Sequence, residues 1–506
     1  MTLRQFIANS FVAVAALSAS AIDINYEAEA IVNSGSGAFA PYYIASNRHG
    51  ILTQQTNALV SASIGKELDL SERFSYSFNV KGLAGWSSST DYLQFNQEIS
   101  QLEPQRRTPP YVWLQELYGS VKYRSIFLTV GLKEQESLIL NSDLSSGDLV
   151  ESGNSRPIPE IRAGFIDFQD FPFTNGWVQL KGEVSYGKML DNNWMKEHYN
   201  YYNYHYNLGA LYTYKHLHLR SKASMPFTVT VGMQSGGLFG GTTYFYHKGK
   251  LTRVHECPQS AMTFLKMLIP MRNEGSAFHD GSSLGSWDVL FRYRFRDKTV
   301  LKAYIQKPWE DGTGIGWLNG FDGIWGIEYQ APKADAIVSG AVIEYLDFTN
   351  QSGPIHWYPG DAPGTTIDPS HATGGDMYYN NHQQNPYMNY GMSIGTPFLR
   401  APLYNTDGYM AYVDNRVRGF HIGVNGHIIP ELKYRILGSW RKGWGDGRYP
   451  TTTTRETTSV MLEGIYTVAK IPGLRVKAQF AFDAGNMFGN NVGGCVSVSY
   501  SGLLKL

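Results

Sequence analysis

Phe74, Tyr76, Phe78 and Val80 alternate with Ser75, Ser77, Asn79 and Lys81. A period of two residues places each set on one face of a strand, so this segment predicts a strand with one apolar and one polar face. Val178, Leu180, Val184 and Tyr186 repeat the pattern against Gln179, Lys181, Glu183 and Ser185, and Val289, Phe291, Tyr293 and Phe295 repeat it against Leu290, Arg292, Arg294 and Arg296. It returns near the C-terminus, where Val476, Phe480 and Phe482 oppose Lys477, Gln479 and Asp483, and Val496, Val498 and Tyr500 oppose Ser497, Ser499 and Ser501.

Followed along the chain, the pattern predicts about 18 strands, an even number, running from Asn25–Val32 to Cys495–Leu504. The connections between them alternate in length. Short ones are expected at 66–72, 124–125, 169–175, 220–225, 297–298, 331–335, 428–431 and 469–473. Long ones are expected at 33–50, 85–110, 133–160, 187–204, 234–285, 308–322, 347–416, 442–456 and 485–494. Short turns at one end and long loops at the other are the mark of an outer-membrane barrel. The expected fold is therefore all-β, a transmembrane antiparallel barrel with long extracellular loops. Downstream of the leader no segment approaches the run of about 18 apolar residues that a helical span requires. A chain that crosses lipid without helices has to close its sheet, because an open edge would leave backbone groups unpaired in hydrocarbon.

Composition agrees with this. Of 506 residues, 14% are aromatic and 17% charged, with 34 Tyr and 53 Gly, as expected of a β-rich chain with many turns. Equal numbers of basic and acidic residues, 43 of each, argue against a nucleic-acid partner. The opening MTLRQFIANSFVAVAALSASA has one Arg, an apolar run and a small-residue end, and reads as a secretory signal peptide cleaved near Ala21. Residues 1–21 are thus expected to be leader and 22–506 one barrel domain. Cys257 and Cys495 stand far apart and belong to no metal-type cluster. A disulfide between them is open at this point.

Two long connections call for structure of their own. Pro258–Leu268, PQSAMTFLKML, sets Ala261, Met262, Leu265, Met267 and Leu268 near helical spacing, which predicts a short helix packed on the barrel rim. The connection 347–416 is long enough to serve as a plug or lid. Its aromatic residues Trp357, Tyr358, Tyr378, Tyr379, Tyr387 and Tyr390 interleave with Asn380, Asn381, His382, Gln383, Gln384 and Asn389. Flat apolar faces beside amides suit sugar rings, although Tyr-rich loops also close barrels that bind nothing. Arg292, Arg294 and Arg296 share one polar strand face, and Lys433, Arg435 and Arg441 share another. Such rows either meet an anionic ligand or pair with lumen carboxylates such as Glu183, Glu328, Glu344 and Glu463, and the need to pair buried charge favours the second. His216 and His218, two apart on one face, lack the partners of a metal site. No nucleophile elbow, zinc-protease helix or phosphate loop occurs, so no catalytic residue, metal or cofactor is expected.

The stretch Asn141–Gly164, rich in Ser, Gly, Asn and Pro, lies between two strand-like segments. Its LSSGDLVESGNSRPIPEIRAGFIDF, followed by GWVQLKGEVSYGKML, resembles the capsule-assembly Wzi family of outer-membrane proteins. So do IEYLDFTNQSGP at Ile343–Pro354, YYNNHQQNPYMNYGMSIGTPFL at Tyr378–Leu399 and YNTDG at Tyr404–Gly408. The chain departs from the family pattern at MNYGM, Met388–Met392, and in its LLKL end, which has no terminal aromatic. The resemblance implies an 18-stranded barrel closed to diffusion in a Gram-negative outer membrane, acting as a lectin that anchors capsular or other surface polysaccharide. It implies no catalysis. Candidate ligand contacts are Arg156, Arg162, Arg292, Arg294, Trp357, Tyr358, Tyr378, Tyr379 and Tyr387, with outer-membrane lipid as the other partner and a monomer as the expected state. The alternative is a sugar- or anion-selective porin with an Arg-lined lumen.

Overall fold

The computed structural model describes residues 23–269, 281–310, 312–352, 376–381, 383–446 and 450–505. The expected leader, residues 1–21, lies outside them.

The barrel strands are β1 Asp23–Gly35, β2 Asn57–Lys66, β3 Phe74–Ser87, β4 Val112–Tyr123, β5 Ile126–Leu132, β6 Pro159–Phe165, β7 Val178–Lys188, β8 Leu211–Ser221 and β9 Phe227–Phe239. They continue as β10 Gly281–Arg294, β11 Val300–Trp309, β12 Gly323–Gln330, β13 Gly340–Asp347, β14 Val417–Ile429, β15 Leu432–Gly445, β16 Pro450–Thr467, β17 Leu474–Gly485 and β18 Asn491–Lys505. A two-residue piece, Gln169–Asp170, extends β6 along β7. Each strand is antiparallel to its sequence neighbours, and β1 also pairs with β18 from Asp23 opposite Lys505 to Gly35 opposite Gly493. That last ladder closes an antiparallel barrel of 18 strands, which satisfies every edge.

The faces are inverted relative to a water-soluble sheet. Outward positions carry exposed apolar side chains, among them Val32, Val60, Ile343 and Val496 at 54, 56, 62 and 52% exposure. Inward positions carry Ser75, Ser77, Ser120, Thr129, Glu328 and Ser497, all buried. This polarity suits a hydrocarbon solvent outside. Aromatic side chains stand at both rims, Trp86, Tyr111, Phe321 and Trp440 at the long-loop end, Phe74, Tyr123, Tyr293 and Tyr466 at the short-turn end.

Two details differ from the sequence reading. The last two long-side connections are short, because β15 runs to Gly445 before β16 begins at Pro450, and β17 runs to Gly485 before β18 begins at Asn491. The β-branched run Thr451–Thr454 extends β16 outward, and Lys442 Nζ meets Glu456 Oε1 across the ladder at 2.7 Å. The expected single strand from His205 to Leu219 is broken. Gly209, with φ +75°, turns the chain so that Tyr204–Leu208 leaves the barrel to pair with Thr242–His247, which pairs in turn with Lys250–Glu256. The two cysteines are both buried free thiols, Cys257 beside that loop sheet and Cys495 in β18.

Candidate functional site

The connection 133–158 enters the lumen and crosses it. It leaves from β5 and returns to β6, yet Leu144 O accepts a hydrogen bond from His421 Nε2 on β14, half-way round the barrel, at 2.8 Å. Along this path Asn141 Nδ2 donates to Glu328 Oε1 at 3.1 Å, the Ser146 N–H to Glu344 Oε2 at 2.7 Å and the Leu149 N–H to Gln306 Oε1 at 3.1 Å. Leu144, Leu149 and Val150 are fully buried. A loop of Ser, Gly and Asn suits this task, because its backbone can turn repeatedly while its N–H and C=O groups find lumen side chains.

A second layer locks the first. Ser152 N–H donates to Ile394 O at 3.0 Å, Asn154 Nδ2 to Ser393 O at 3.0 Å and Thr396 Oγ1 to Ser146 O at 3.0 Å. The first connection adds the short helix α1, Tyr42–Ala45, whose Tyr43 hydroxyl lies 2.9 Å from His421 Nδ1. Together these three connections form a plug with an apolar interior.

One continuous polar chain ties the plug to the wall. Arg162 on β6 donates to Glu151 at 2.6 and 2.8 Å, to Glu160 at 2.8 Å and to Glu183 at 2.8 Å, with Tyr214 under its guanidinium at 4.8 Å. Glu183 lies 3.7 Å from His216 Nε2, His216 Nδ1 lies 3.3 Å from His218 Nδ1, and His218 Nε2 lies 2.9 Å from Asp288 Oδ2. The amides of Gln234 and Gln306 each donate to both Asp288 and Asp148, the latter at 3.2 and 2.9 Å. Burial, together with the nearby Asp288 charge, pushes the Asp148 carboxyl up to about 6. Burial raises Glu151 to about 7, against the pull of Arg162 and helped by Glu160 and Glu183.

Above the plug, four connections knit into an outer cap. It comprises the hairpin Thr90–Asn96 with Gln101–Arg107, the helix α2 Trp194–His198, the three-stranded loop sheet, and the turn around Asp407. The Phe95 N–H donates to Asn200 O at 2.8 Å, the Leu93 N–H to Thr406 O at 3.0 Å and Gln97 Nε2 to Gly249 O at 2.8 Å. Its surface is tyrosine. Tyr199, Tyr201, Tyr206, Tyr244 and Tyr246 pack ring against ring at 5.1 to 6.2 Å. Tyr199 and Tyr206 are buried, whereas Tyr201, Tyr202, Tyr244 and Tyr246 keep part of their faces open beside exposed Asn203 and Lys248. His198 stacks on Trp194 at 4.1 Å, and burial lowers it to about 4, as it does His205. Both rings are neutral at physiological pH.

No protein-family model matches the chain, and neither does any curated protein sequence. Among solved structures the chain is similar to Wzi of Escherichia coli, an outer-membrane protein involved in group 1 capsule assembly and a carbohydrate-binding β-barrel. The two share a TM-score of 0.53 and 12% identity over 97% of this chain and 87% of that one. The fold is that of an outer-membrane β-barrel. OccAB2 of Acinetobacter baumannii aligns at TM-score 0.48 and 10% identity, over 96% of this chain and 100% of its own. OprD of Pseudomonas aeruginosa aligns at 0.44 and 9%, over 97% and 98%. At these identities the likeness is one of fold.

The candidate ligand residues named from sequence fall in four places. Arg162 is committed to three carboxylates inside the wall and is 5% exposed. Tyr378, Tyr379 and Tyr387 are buried in the plug rather than presented at its surface. Tyr378 donates to Asp322, Tyr379 to Leu149 O and Tyr387 to Val150 O. Their hydroxyls satisfy plug backbone and carboxylate groups, so composition alone mistook packing for display. Arg292 and Arg294 face inward at the short-turn end of β10, where Arg294 donates to Ser224 O at 3.2 Å, far from the cap. Trp357 and Tyr358 lie outside the described residues. Arg156 is half-buried near the mouth, held between Trp113 at 4.8 Å and Tyr390 at 4.7 Å. The lumen cations divide: buried Arg441 lies over the Tyr42 ring at 3.7 Å and donates to Ser439 Oγ at 2.7 Å, whereas others pair with carboxylates. Arg435 bonds Glu463 through two 2.9 Å contacts and Lys302 bonds Glu328 at 3.0 Å.

The tyrosine cap was missed from sequence. Its signal was the run YNYYNYHY at Tyr199–Tyr206, too dense in Tyr for an ordinary loop and split between a turn and a strand that leaves the barrel.

Proposed function

We propose that this chain is a plugged barrel of the Gram-negative outer membrane that holds surface polysaccharide of the capsular class on its outer cap and takes part in capsule assembly. The observation that carries the reading is the division of labour between plug and cap. Three connections fill the upper lumen, as an anchor requires and a conduit does not. Above them a rigid aromatic surface offers open faces of Tyr201, Tyr202, Tyr244 and Tyr246 with amide and ammonium groups at their edge. Sugar C–H patches stack on such faces while neighbouring polar groups take the ring hydroxyls. A repeating polymer needs only weak contacts per unit, since several bind at once on a crowded cell surface. Arg156 supplies a cation for a uronic acid or other anionic substituent. Carbohydrate binding by the E. coli barrel of like fold agrees with this class of ligand.

The second reading, a sugar or anion porin, is favoured by a cavity of about 280 Å³ beneath the plug, lined by Arg48, Arg435 and Lys477 together with Glu29, Glu136 and Asp143. Two measurements separate them. Purified protein in planar bilayers should show no stable conductance, and labelled capsular polysaccharide should be retained by it and lost in Tyr201→Ala/Tyr246→Ala. A steady open channel, or retention unaffected by the double variant, would overturn the lectin reading.

A further inference from the structure

The helix α3, Ala261–Leu268, is capped by Ser260 Oγ, which accepts from the Thr263 N–H at 3.1 Å. It lies on the outside of the barrel. Its inner face, Phe264 and Met267, forms a cluster with Leu211 of β8 and Phe239 of β9, separate from the lumen core. Leu211 and Phe239 have the same outward parity as exposed Leu217 and Val231 on their strands. Phe264 also meets outward-facing Tyr186 of β7 edge-on at 5.1 Å. Met267 lies over glycines of the wall. A Cβ on Gly237 would come within 2.6 Å of Met267 Cε, and one on Gly281 within 2.8 Å of its Sδ.

The other face is apolar and open. Met262, Leu265 and Ile269 are 61, 51 and 58% exposed, and they sit directly above the lipid-facing side chains of β8 and β9. Lys215 is the telling neighbour. It occupies an outward position on β8, where an ammonium would meet hydrocarbon, and its Nζ instead donates to Met267 O at the helix C-terminus, 2.5 Å away. A helix end supplies carbonyl acceptors and negative dipole for such a cation. An element that removes a charge from the lipid face while adding apolar side chains to it behaves as part of that face.

We propose that α3 is an interfacial helix seated in the outer leaflet against β8–β10, with Met262, Leu265 and Ile269 among acyl chains. The proposal rests on the membrane reading above and extends the lipid-contacting surface beyond the strands. Nitroxide labels at Leu265→Cys, Ile269→Cys, Gln259→Cys and Val231→Cys, in a Cys257→Ala/Cys495→Ala background reconstituted in lipid, test it by collision with oxygen and with a polar nickel chelate. Native barrels are recognised by heat-modifiable gel migration. Leu265 and Ile269 should match Val231, favouring oxygen, while Gln259 favours nickel. Nickel access at Leu265 equal to that at Gln259, or shielding from both reagents, overturns the helix proposal, whereas nickel access at Val231 overturns the membrane reading instead. The unaltered chain gives a second readout with a phospholipid carrying a photoreactive acyl chain. Label is expected on the peptide containing Met262 and Leu265, and label confined to the strands would overturn the proposal.

Discussion

His421 Nε2 lies 2.8 Å from Leu144 O, and its Nδ1 lies 2.9 Å from the Tyr43 hydroxyl. A carbonyl can only accept, so Nε2 carries the proton and Nδ1 accepts from Tyr43. One neutral imidazole on β14 therefore holds two connections, one that leaves β5 on the far side of the barrel and one that leaves β1.

Replacing His421 by Leu removes both bonds and leaves the buried Leu144 carbonyl without this partner, at a cost of about 2 kcal/mol. The barrel ladder is untouched. The expected outcome is faster amide exchange at Ser145 and Ser146 with unchanged protection in β14 and β15. Exchange mass spectrometry in detergent checks it, and equal loss in plug and strands would contradict it.

Arg162 on β6 pairs with three carboxylates at once. Its removal, as Arg162→Met, leaves Glu151, Glu160 and Glu183 facing one another in a buried site, and breaking such a cluster costs about 3–5 kcal/mol. Arg162→Lys restores the charge but not the fork that bonds three carboxylates at once. Both variants should open conductance in planar bilayers, the Met variant more often than the Lys variant. Silent bilayers for both would show that the plug stays shut without this residue.

The pH dependence of plug closure follows from Asp148 and Glu151. In the plugged state their carboxyls are raised from 3.8 and 4.5 to about 6 and about 7. Groups raised on docking bind protons more tightly when docked, so their contribution is fully present below their ordinary values and is lost as pH rises through 6 and 7. For Asp148 the loss is about 3 kcal/mol. Protease cleavage within 133–158 should therefore be slow at pH 5 and faster at pH 8. Asp148→Asn, which keeps an acceptor for Gln306 without the charge, should flatten the profile.

Sequence patterning carried the barrel because lipid outside and polar groups inside impose a period of two on every strand. That signal is local and survives without knowledge of partners. The loops obey no such rule. Tyr379 and Tyr201 look alike in sequence, each in a run of Tyr and Asn, yet one closes on Leu149 O inside the plug and the other opens onto the cap. What separates them is which strand tops their connections meet, a long-range fact. Arg162 and Arg294 were equally opaque. Both have inward parity, but their height along the strand decides whether carboxylates of the plug can reach them. At the β15–β16 turn the Thr run supported a strand that its Gly-rich flank disguised.

Gly423 provides the sharpest steric test of the crossing. It faces inward on β14, and an added Cβ would stand 2.3 Å from Leu144 O and 3.1 Å from Leu144 C and Cα. All three are backbone or carbonyl atoms of the plug, so no side-chain rotation can relieve the overlap, and overpacking of this kind costs about 1–3 kcal/mol. Gly464, which faces outward on β16, is the control for the glycine-to-alanine change itself, because its nearest neighbour would be Leu432 Cδ1 at 3.9 Å. Gly423→Ala should push Leu144 away from the wall, break the His421 bond and raise protease sensitivity between Asn141 and Gly147. Gly464→Ala should leave it unchanged. Both variants should retain heat-modifiable migration, since the strand ladders on either side are intact. Equal protease resistance in the two would mean that Leu144 does not rest against β14.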